Sequence, residues 1–538
     1  MQTLVLFQGW KSFFVDQVEP GRRTMAAALH ERLVRQVLPE FLPTQRWFAG
    51  KGGRIEKVEF EQYDLWPDRS EWLLARIRVW LAGRPEPQDY GLPLALAWGD
   101  DSDEKLRPLW PYALAKVRVK ARMGLLYGAF ADERFCQYLV GMIARNARLP
   151  LGQGWLQFSA TRLFADLAGD APESLPAKRL ALDSSNTTIT FGDRLLMKAY
   201  RRLQPGINPE LEMGRFLTEI AFPNIAPLAG ALEYEGEGGE RTTLVLLQGF
   251  VANQGDAWSY TLDYLNRFLD DCRQGTATVR AGGDNAHAPY LLFAATLGRR
   301  TGELHRALAQ TTGDPAFDPE PITANDLADG LERIQIEVDA TFARLEQARF
   351  QLPEPARPLA EQMLDSRGAA AARLASMETR APQAMKTRYH GDYHLGQVLV
   401  ARDDVIIIDF EGEPSRSLAE RRAKHSPLRD VVGMLRSFDY AAHAALRQAT
   451  ADGTGDRAVF LPHINDWQRQ TRAAFLEGYV TAAGNSPGYP TDPDQVRALL
   501  ELFTLEKVCY ELRYELDNRP DWVEIPLVGL RELLSLPT

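Results

Sequence analysis

The feature that most constrains the fold is an uneven division of strand-like and helix-like segments along the chain. Segments that alternate apolar and polar residues occur before Val251, for example at residues 72–80 (WLLARIRVW), and such alternation is typical of half-buried strands. Beyond Val251 the apolar residues recur at helical spacing. We predict helices there at residues 260–271, 289–310, 325–349 and 358–377. This order of elements predicts an α+β fold with a sheet-rich lobe followed by a helical lobe.

Composition limits the class of protein. The chain has 538 residues, of which 45% are hydrophobic and 25% are charged, and these fractions are ordinary for a globular protein. The net charge of −10 disfavours nucleic-acid and anionic-membrane partners. Its three cysteines are far apart and suggest neither a disulfide framework nor a zinc site. With no long apolar run and no signal-peptide pattern, we expect a cytoplasmic protein.

The most specific motif joins a polar loop to a buried strand. Residues 390–397 read HGDYHLGQ and residues 405–411 read VIIIDFE, so an apolar strand ends directly in a carboxylate. Asp392, Gln397 and Asp409 thus supply two carboxylates and one amide. Phosphoryl transfer uses one carboxylate to orient the attacking hydroxyl, and it uses oxygen ligands to hold Mg²⁺. The combination therefore predicts a phosphotransferase, and a purely structural turn is the alternative.

This pattern resembles the catalytic loop of the protein-kinase-like phosphotransferases, in which H-x-D precedes a metal-binding amide and an Asp at a strand end. The resemblance implies that Asp392 is the catalytic base, that Gln397 and Asp409 bind Mg²⁺ and that ATP is the phosphoryl donor. Two positions depart from the family. Gln397 replaces the usual Asn, and Asp-Phe-Gly reads Asp-Phe-Glu, so that Glu411 either adds a ligand or caps the loop.

A second group of residues suits nucleotide phosphates. Lys198 interrupts a strand-like run of large residues, where a charge is costly unless it is paired. A helix begins at Asn208, a favourable N-cap that is followed by Pro. We prefer its Glu212 as the partner of Lys198, because the helix dipole already explains Glu210 in the first turn. The other candidates lie in a polar turn and in the lobe hinge: Ser184, Ser185, Asn186, Thr187, Gln248 and Phe250.

Further stretches resemble the maltokinase family, which phosphorylates maltose at its anomeric hydroxyl. The resemblance extends over roughly residues 24–530. It rests on residues 45–50 (QRWFAG), 205–212 (PGINPELE), 390–399 (HGDYHLGQVL), 408–414 (IDFEGEP), 418–440 (LAERRAKHSPLRDVVGMLRSFDY), 475–479 (FLEGY) and 506–526 (EKVCYELRYELDNRPDWVEIP). It implies ATP and Mg²⁺ as cofactors and maltose 1-phosphate as product. It also implies a link to trehalose synthase, fused or associated, and to α-glucan synthesis from trehalose.

The resemblance also implies a domain organisation. The extension at 1–23, which we interpret as a strand pair, would precede a cap domain at 24–115. A kinase N-lobe with an intermediate subdomain would span 116–250, and a helical C-lobe would span 251–538. Within the C-lobe, His390 would anchor the catalytic loop and Asp430 would brace its backbone. We interpret residues 272–288, rich in Gly, Ala and Asp, as a surface insertion.

The acceptor site is predicted on a helix near the C-terminus. One stripe of this helix is apolar, and the other carries Lys507, Tyr510, Glu511 and Tyr514. By composition alone this second stripe fits a solvated face with a Lys–Glu pair, whereas the family resemblance assigns it to the sugar.

Two alternative functions stay open. One is a kinase of glucosamine, an aminoglycoside or another small hydroxyl acceptor, and an amine would call for a carboxylate-rich stripe. The other is a non-catalytic partner of trehalose synthase.

Overall fold

The structure, a computed structural model, describes residues 3–5, 30–50, 52–66, 69–99, 104–180, 185–274, 286–375, 382–451 and 457–534. The chain divides into two compact units. The first comprises Met1–Thr218 and Ala226–Ala252, and the second comprises Glu219–Ile225 and Asn253–Thr538.

The first unit is built mainly of strands. Its strands are β1 (Thr3–Val5), β2 (Ile55–Trp66), β3 (Arg69–Leu81), β4 (Gln88–Gly91), β5 (Leu94–Trp98), β6 (Ala113–Val119), β7 (Arg122–Gly128), β8 (Arg148–Leu151), β9 (Gly154–Ala160), β10 (Ala177–Arg179), β11 (Thr187–Phe191), β12 (Leu195–Ala199), β13 (Arg202–Leu203), β14 (Leu228–Glu235) and β15 (Arg241–Gly249). Its helices are α1 (Leu38–Phe41), which continues a π-helical turn at Leu33–Val37, α2 (Glu133–Ala144), α3 (Phe164–Ala168) and α4 (Pro209–Glu219).

These strands form two sheets. In the cap sheet the order is β1-β6-β7-β5-β3-β4-β13, with β2 also paired to β3. In the second sheet, which carries Lys198, the order is β10-β11-β12-β15-β14-β9-β8. The alternation predicted at residues 72–80 is confirmed, because Leu73, Ala75, Ile77 and Val79 all point into the core of the cap sheet. The predicted hairpin of β11 and β12 is confirmed too, with Gly192 at φ +57° in its turn.

The second unit is mostly helical. Its helices are α5 (Ala257–Arg273), α6 (Ala288–Leu308), α7 (Ala324–Ala348), α8 (Arg357–Asp365), α9 (Arg367–Ala375), α10 (Leu418–Arg422), α11 (Leu428–Thr450), α12 (Arg457–Ala483), α13 (Pro493–Asn518) and α14 (Glu524–Leu533). β16 (Glu320–Pro321) pairs antiparallel with the distant β17 (Met385–Lys386), and β18 (Val398–Ala401) forms a short hairpin with β19 (Asp404–Ile407). The predicted helices at 260–271, 289–310 and 325–349 are confirmed, and the one at 358–377 is divided into α8 and α9 at Ser366.

Two helices of the second unit approach each other at glycines. A Cβ atom added at Gly298 of α6 would lie 2.0 Å from the carbonyl oxygen of Phe475 on α12. A Cβ atom added at Gly478 would lie 2.2 Å from the carbonyl oxygen of Ala295. Only glycine permits backbones to come this close, so these positions set the packing of α6 against α12.

The mixed sheet-and-helix fold class is confirmed, while the finer domain boundaries at 115 and 250 stay predictions. Thr3–Val5 pair in parallel with β6, and the rest of the predicted N-terminal strand pair lies outside the described residues. Residues 275–285 of the predicted insertion also lie outside them. Among the helices in the described ranges, none is both long and apolar enough to cross a membrane.

Candidate active site

The catalytic loop that the sequence predicts lies between β17 and β18, and a buried carboxylate holds its backbone. Asp430, in the first turn of α11, is 2% exposed. Its Oδ2 accepts a hydrogen bond from the His390 N–H (2.7 Å), and its Oδ1 accepts one from the Gly391 N–H (2.9 Å). Charge-assisted hydrogen bonds of this kind are strong, so they fix the backbone immediately before Asp392.

Two further residues hold the Asp430 carboxylate in place, and the sequence analysis missed both. The His305 Nε2 lies 3.1 Å from Asp430 Oδ2, and its Nδ1 lies 3.0 Å from the Tyr479 hydroxyl. His305 and Tyr479 are each 1% exposed. They come from α6 and α12, far from the loop in sequence, and a single histidine on a helix gives no local signal of such a role.

Asp392 lies half-buried on the loop, and its carboxylate accepts no hydrogen bond from any of the described residues. His390 helps to position the loop, because its Nε2 donates to the carbonyl oxygen of Ile408 (2.8 Å), the residue after β19. The histidine thus connects the loop to the strand that leads to Asp409. A fixed backbone with a free carboxylate suits a group that must accept a proton from a substrate hydroxyl.

Three oxygen-bearing side chains flank the β18–β19 hairpin: Gln397 precedes β18, and Asp409 and Glu411 follow β19. The Gln397 Nε2 donates to Asp409 Oδ2 (3.0 Å), and carboxylate oxygens of Asp409 and Glu411 lie within 4.8 Å of one another. Asp409 has φ +65°, a strained conformation for a non-glycine residue that is often found at functional sites. Carboxylates and an amide oxygen are the hard donors that Mg²⁺ prefers, so these residues fit the ion. The position of Glu411 is compatible with a ligand role.

The predicted acceptor stripe on α13 meets a carboxylate that the sequence analysis did not select. The Tyr510 hydroxyl donates to Glu413 Oε1 (2.6 Å), and the Lys507 Nζ lies 3.6 Å from Glu413 Oε2. Burial by itself would lower the pKa of Lys507. The negative charges of Glu413 and Asp392 have the larger effect, and the pKa of the lysine is raised. Tyr514 extends the surface, with its ring stacked 6.3 Å from that of Tyr510. Glu413 lies within the quoted IDFEGEP stretch, which was the available signal.

The structure corrects the assignment of Glu511 to the sugar. Glu511 is 7% exposed, and its Oε2 accepts hydrogen bonds from both Nε (3.0 Å) and Nη2 (2.7 Å) of Arg436 on α11. Because its charge is compensated by this buried ion pair, Glu511 joins two helices and is not free to bind a substrate.

The first unit carries the predicted nucleotide lysine, with a different partner from the one we preferred. The Lys198 Nζ lies 2.7 Å from Glu210 Oε2, and Tyr200 donates a hydrogen bond to the same oxygen. Glu210 is 2% exposed, whereas Glu212 lies half-buried one half-turn further along α4. The preference for Glu212 was therefore wrong: Glu210, in the first turn, forms a buried ion pair in addition to its favourable place in the helix dipole.

The turn and hinge residues give a mixed outcome. Ser184 lies outside the described residues, Ser185 and Asn186 form the bend before β11, and Thr187 is a buried residue of β11. Gln248 lies within β15, paired with β12 and β14. The Phe250 N–H donates to the carbonyl oxygen of Arg194 (2.8 Å). That N–H is thus already engaged within the sheet, and the assignment of Gln248 and Phe250 to the nucleotide stays a prediction.

The first unit carries a buried lysine–glutamate pair, and the second carries an H-x-D loop whose backbone is held by Asp430. Together these features define a protein-kinase-like phosphotransferase that acts on a hydroxyl acceptor. Residues 176–463 match the model of the phosphotransferase enzyme family known as APH. The chain belongs to this family.

Known relatives carry the name glucosamine kinase. One, from Streptacidiphilus jiangxiensis, is 25% identical over 403 residues, which cover 74% of this chain and 80% of the relative. Another, from Mycolicibacterium smegmatis, is 25% identical over 361 residues, which cover 66% and 79%. A solved glucosamine kinase in complex with glucosamine, ADP and inorganic phosphate has a TM-score of 0.60 at 21% identity, with 88% of this chain and 93% of that one covered. This likeness confirms the kinase-like fold.

Proposed function

We propose that this chain transfers the γ-phosphoryl group of ATP to a hydroxyl group of a sugar. The observation that carries the proposal is the placement of Asp392. Its backbone is fixed through Asp430, and its carboxylate is near enough to Lys507 and Tyr510 to influence the pKa of both groups. A lysine and stacked aromatic rings beside a catalytic carboxylate suit a polyhydroxyl acceptor.

The proposed reaction is an in-line displacement. The acceptor oxygen forms a bond to the γ-phosphorus while the bond from that phosphorus to the β–γ bridging oxygen breaks, and ADP leaves. The Asp392 carboxylate accepts the hydroxyl proton. His394 is a weak candidate for this role, because burial lowers the pKa of its imidazole against the opposing influence of Asp392. Its Nδ1 also already accepts a hydrogen bond from the Gly396 N–H (3.0 Å).

The phosphate groups require compensating positive charge. A bound Mg²⁺ would neutralise charge on the phosphate oxygens, and Gln397, Asp409 and Glu411 would hold it through their side-chain oxygens. Lys198 is proposed to contact the phosphates as well, and Glu210 keeps its ammonium group in place. Lysine is a common point-charge ligand of phosphate.

The names of the relatives favour glucosamine as the acceptor. Relatives at 25% identity, aligned over most of this chain, are named glucosamine kinase. Under this hypothesis an ammonium group of the sugar requires a carboxylate nearby. Glu413 is the nearest candidate on the acceptor side, although Tyr510 and Lys507 already contact it.

One feature of the site favours maltose as a second candidate. Apart from Asp392, the acceptor-side carboxylates described above are already compensated: Glu413 by Lys507 and Glu511 by Arg436. Lys507 and Glu413 offset each other's charge, so the pair offers hydrogen-bonding groups but not the free carboxylate that an ammonium group would require, and this suits a neutral disaccharide. The sequence resemblance to maltokinases points the same way.

A direct assay tests the proposal. ADP release from ATP and Mg²⁺ would be measured with glucosamine, maltose, glucose and trehalose offered separately, and the product would be identified by NMR. We expect turnover with one or more of these sugars. A rate no higher than that without acceptor for all four would overturn the proposal.

A variant of Lys507 separates the two acceptors. Lys507→Met removes a positive charge but keeps an apolar stem of similar length. If the acceptor is an ammonium sugar, we expect its KM to fall in the variant, because the Glu413 carboxylate loses its compensating cation and can attract the ammonium group. If the acceptor is a neutral sugar that the lysine binds, we expect its KM to rise about 10-fold, the loss of one charged hydrogen bond. Arg513→Met, a half-buried position on the same helix, serves as a control.

A further inference from the structure

An arginine of the first unit is buried without a carboxylate. Arg201 is 4% exposed, and its guanidinium lies 4.4 Å from the ring centroid of Trp47 and 5.1 Å from that of Phe130. In the part of the chain that the structure describes, its Nε and Nη1 have no hydrogen-bond partner. A buried charge of this kind is costly. The two aromatic faces offset part of that cost through cation–π attraction.

The first of these aromatic residues belongs to the QRWFAG stretch, which the proposed chemistry does not use. The rings of Trp47 and Phe48 lie 5.8 and 5.3 Å from that of Tyr90 on β4. The two residues that follow Arg201 form β13, which pairs with β4 and places Arg202 opposite Tyr90. The Gly91 N–H donates to the carbonyl oxygen of Arg201 (2.8 Å). Side-chain and backbone contacts together therefore attach this segment to the cap sheet.

The attached segment connects the two partners of the nucleotide ion pair. Lys198 lies on β12, three residues before Arg201, and Glu210 begins α4 shortly after β13. Between them, Tyr200 donates a hydrogen bond to Glu210 Oε2, and its ring centroid lies 5.6 Å from the Lys198 Nζ. A shift of the Arg201 backbone would thus be transmitted to both charged groups.

We propose that Trp47, Phe130 and Arg201 are positioning residues for the nucleotide: by clamping the segment after β12 to the cap sheet, they hold the Lys198–Glu210 pair in the geometry that binds phosphates. The inference rests on the proposed function for the identity of the nucleotide. It gives the cap sheet a role in nucleotide affinity that the catalytic motifs do not reveal.

The test compares nucleotide binding with acceptor binding. Arg201→Met removes the charge at similar volume, and Trp47→Leu removes one aromatic face. For each folded variant we expect the Kd of ADP with Mg²⁺, measured by calorimetry, and the KM of ATP to rise about 10-fold, with the KM of the acceptor changed less than twofold. Arg201→Lys keeps a cation between the rings and should recover part of the affinity. The ADP titration requires no acceptor, so failure of the proposed sugar would not obscure it.

A second arginine–tryptophan contact in the same unit, which is exposed, provides the control. Arg148 on β8 lies 4.4 Å from the ring centroid of Trp155 on β9, at the edge of the second sheet away from β12. Arg148→Met and Trp155→Leu should leave the Kd of ADP unchanged. Since Trp47 and Arg201 act through one contact, their double variant should weaken ADP binding by less than the product of the single effects.

Three results would overturn the proposal. They are an unchanged Kd of ADP in folded Arg201→Met, an equal rise in the KM values of ATP and acceptor, and fully multiplicative effects in the double variant. If Arg201→Met does not fold, the Kd of ADP in the variants Arg201→Lys and Trp47→Phe tests the proposal instead. Weaker ADP binding in both, at unchanged acceptor KM, supports the clamp, and wild-type ADP binding in both refutes it.

Discussion

Among individual residues, Asp392 bears most directly on the proposed chemistry. Its backbone is fixed by the hydrogen bonds that Asp430 accepts from the two preceding N–H groups. Its carboxylate stays free of hydrogen bonds within the described ranges. A rigid main chain and an uncommitted carboxylate are what a proton acceptor for a substrate hydroxyl requires.

We expect Asp392→Asn to lower kcat by about 10²- to 10⁴-fold, the usual contribution of a general base. The amide keeps the size of the side chain but cannot take the proton. The Kd of ADP and the melting temperature should change little, because the brace from Asp430 acts on the backbone. Steady-state kinetics with the active sugar, together with calorimetry, provide the measurement.

The control for this prediction is Asp403→Asn, which changes a nearby exposed carboxylate in the turn between β18 and β19. It should leave kcat at the wild-type value. Turnover of Asp392→Asn close to that of Asp403→Asn would contradict the assigned role of Asp392.

At the residue scale, the sequence predicts well where local context suffices. Asp392, Gln397 and Asp409 stand in one continuous motif, and Lys198 stands out as a charge in an apolar strand. The failures involve contacts between distant segments. The orientation of α4 decides between Glu210 and Glu212, and the buried pairing of Glu511 depends on how α11 packs against α13. No local pattern encodes either arrangement.

At the scale of elements, the close packing of α6 against α12 supports the catalytic loop. The pair brings His305 and Tyr479 together, and His305 contacts Asp430 on α11. Glycines at the helix contact make this approach possible. The helices therefore act on the loop from a distance through one buried hydrogen-bond chain.

Two glycine variants test this packing. We expect Gly298→Ala to lower the free energy of unfolding by about 1–3 kcal/mol, because the added Cβ would meet the Phe475 carbonyl oxygen at 2.0 Å. Gly330→Ala is the matched control on α7, where no atom lies within 4 Å of the added Cβ. It should raise the free energy of unfolding by about 0.5–1 kcal/mol through higher helix propensity. Chemical denaturation measures both, and equal effects would contradict the close approach.

A histidine variant tests the support of the loop. His305→Leu leaves the buried Asp430 and Tyr479 short of a partner, so we expect a loss of about 1–3 kcal/mol in the free energy of unfolding. We also expect kcat to fall about 10- to 100-fold, as misplacement of a catalytic group would cause. The KM of ATP should stay within twofold, and His305→Gln should recover part of kcat. Wild-type kcat in a folded but less stable His305→Leu protein would limit His305 to a purely structural role.

At the scale of the whole molecule, the division into a sheet-rich and a helical unit could be predicted because it depends on hydrophobic periodicity, which every element repeats. The order of strands within each sheet could not. For example, β13 joins the cap sheet although β12, which ends three positions earlier, belongs to the other sheet. Strand pairings of this kind depend on contacts between distant residues, such as that of Arg201 with Trp47. The identities of these two residues in the sequence do not indicate that they are in contact.

Stability against acid is another property of the whole molecule, and His425 should contribute to it. Burial lowers the pKa of His425 to about 3, and the positive charges of Arg429, Arg333 and Arg416 add to the effect. In the unfolded chain the pKa returns to 6.5, the ordinary value for histidine. Between pH 3 and 6.5 the unfolded state therefore binds one more proton at this site than the folded state. As the pH falls through this window, the site makes folding progressively less favourable.

His425→Gln removes this site of proton uptake. Between pH 7 and pH 5 we expect the variant to lose about 2 kcal/mol less of its free energy of unfolding than the wild type does. The measurement is chemical denaturation at pH 7, 6 and 5, in which the difference between the two proteins cancels the titration of all other groups. His463→Gln, a half-exposed position on α12, is the control for replacing a histidine outside this buried site. Parallel pH dependences for wild type and His425→Gln would mean that the pKa of His425 is the same in the folded and unfolded states, so that Glu506 would have to offset burial and the three arginines.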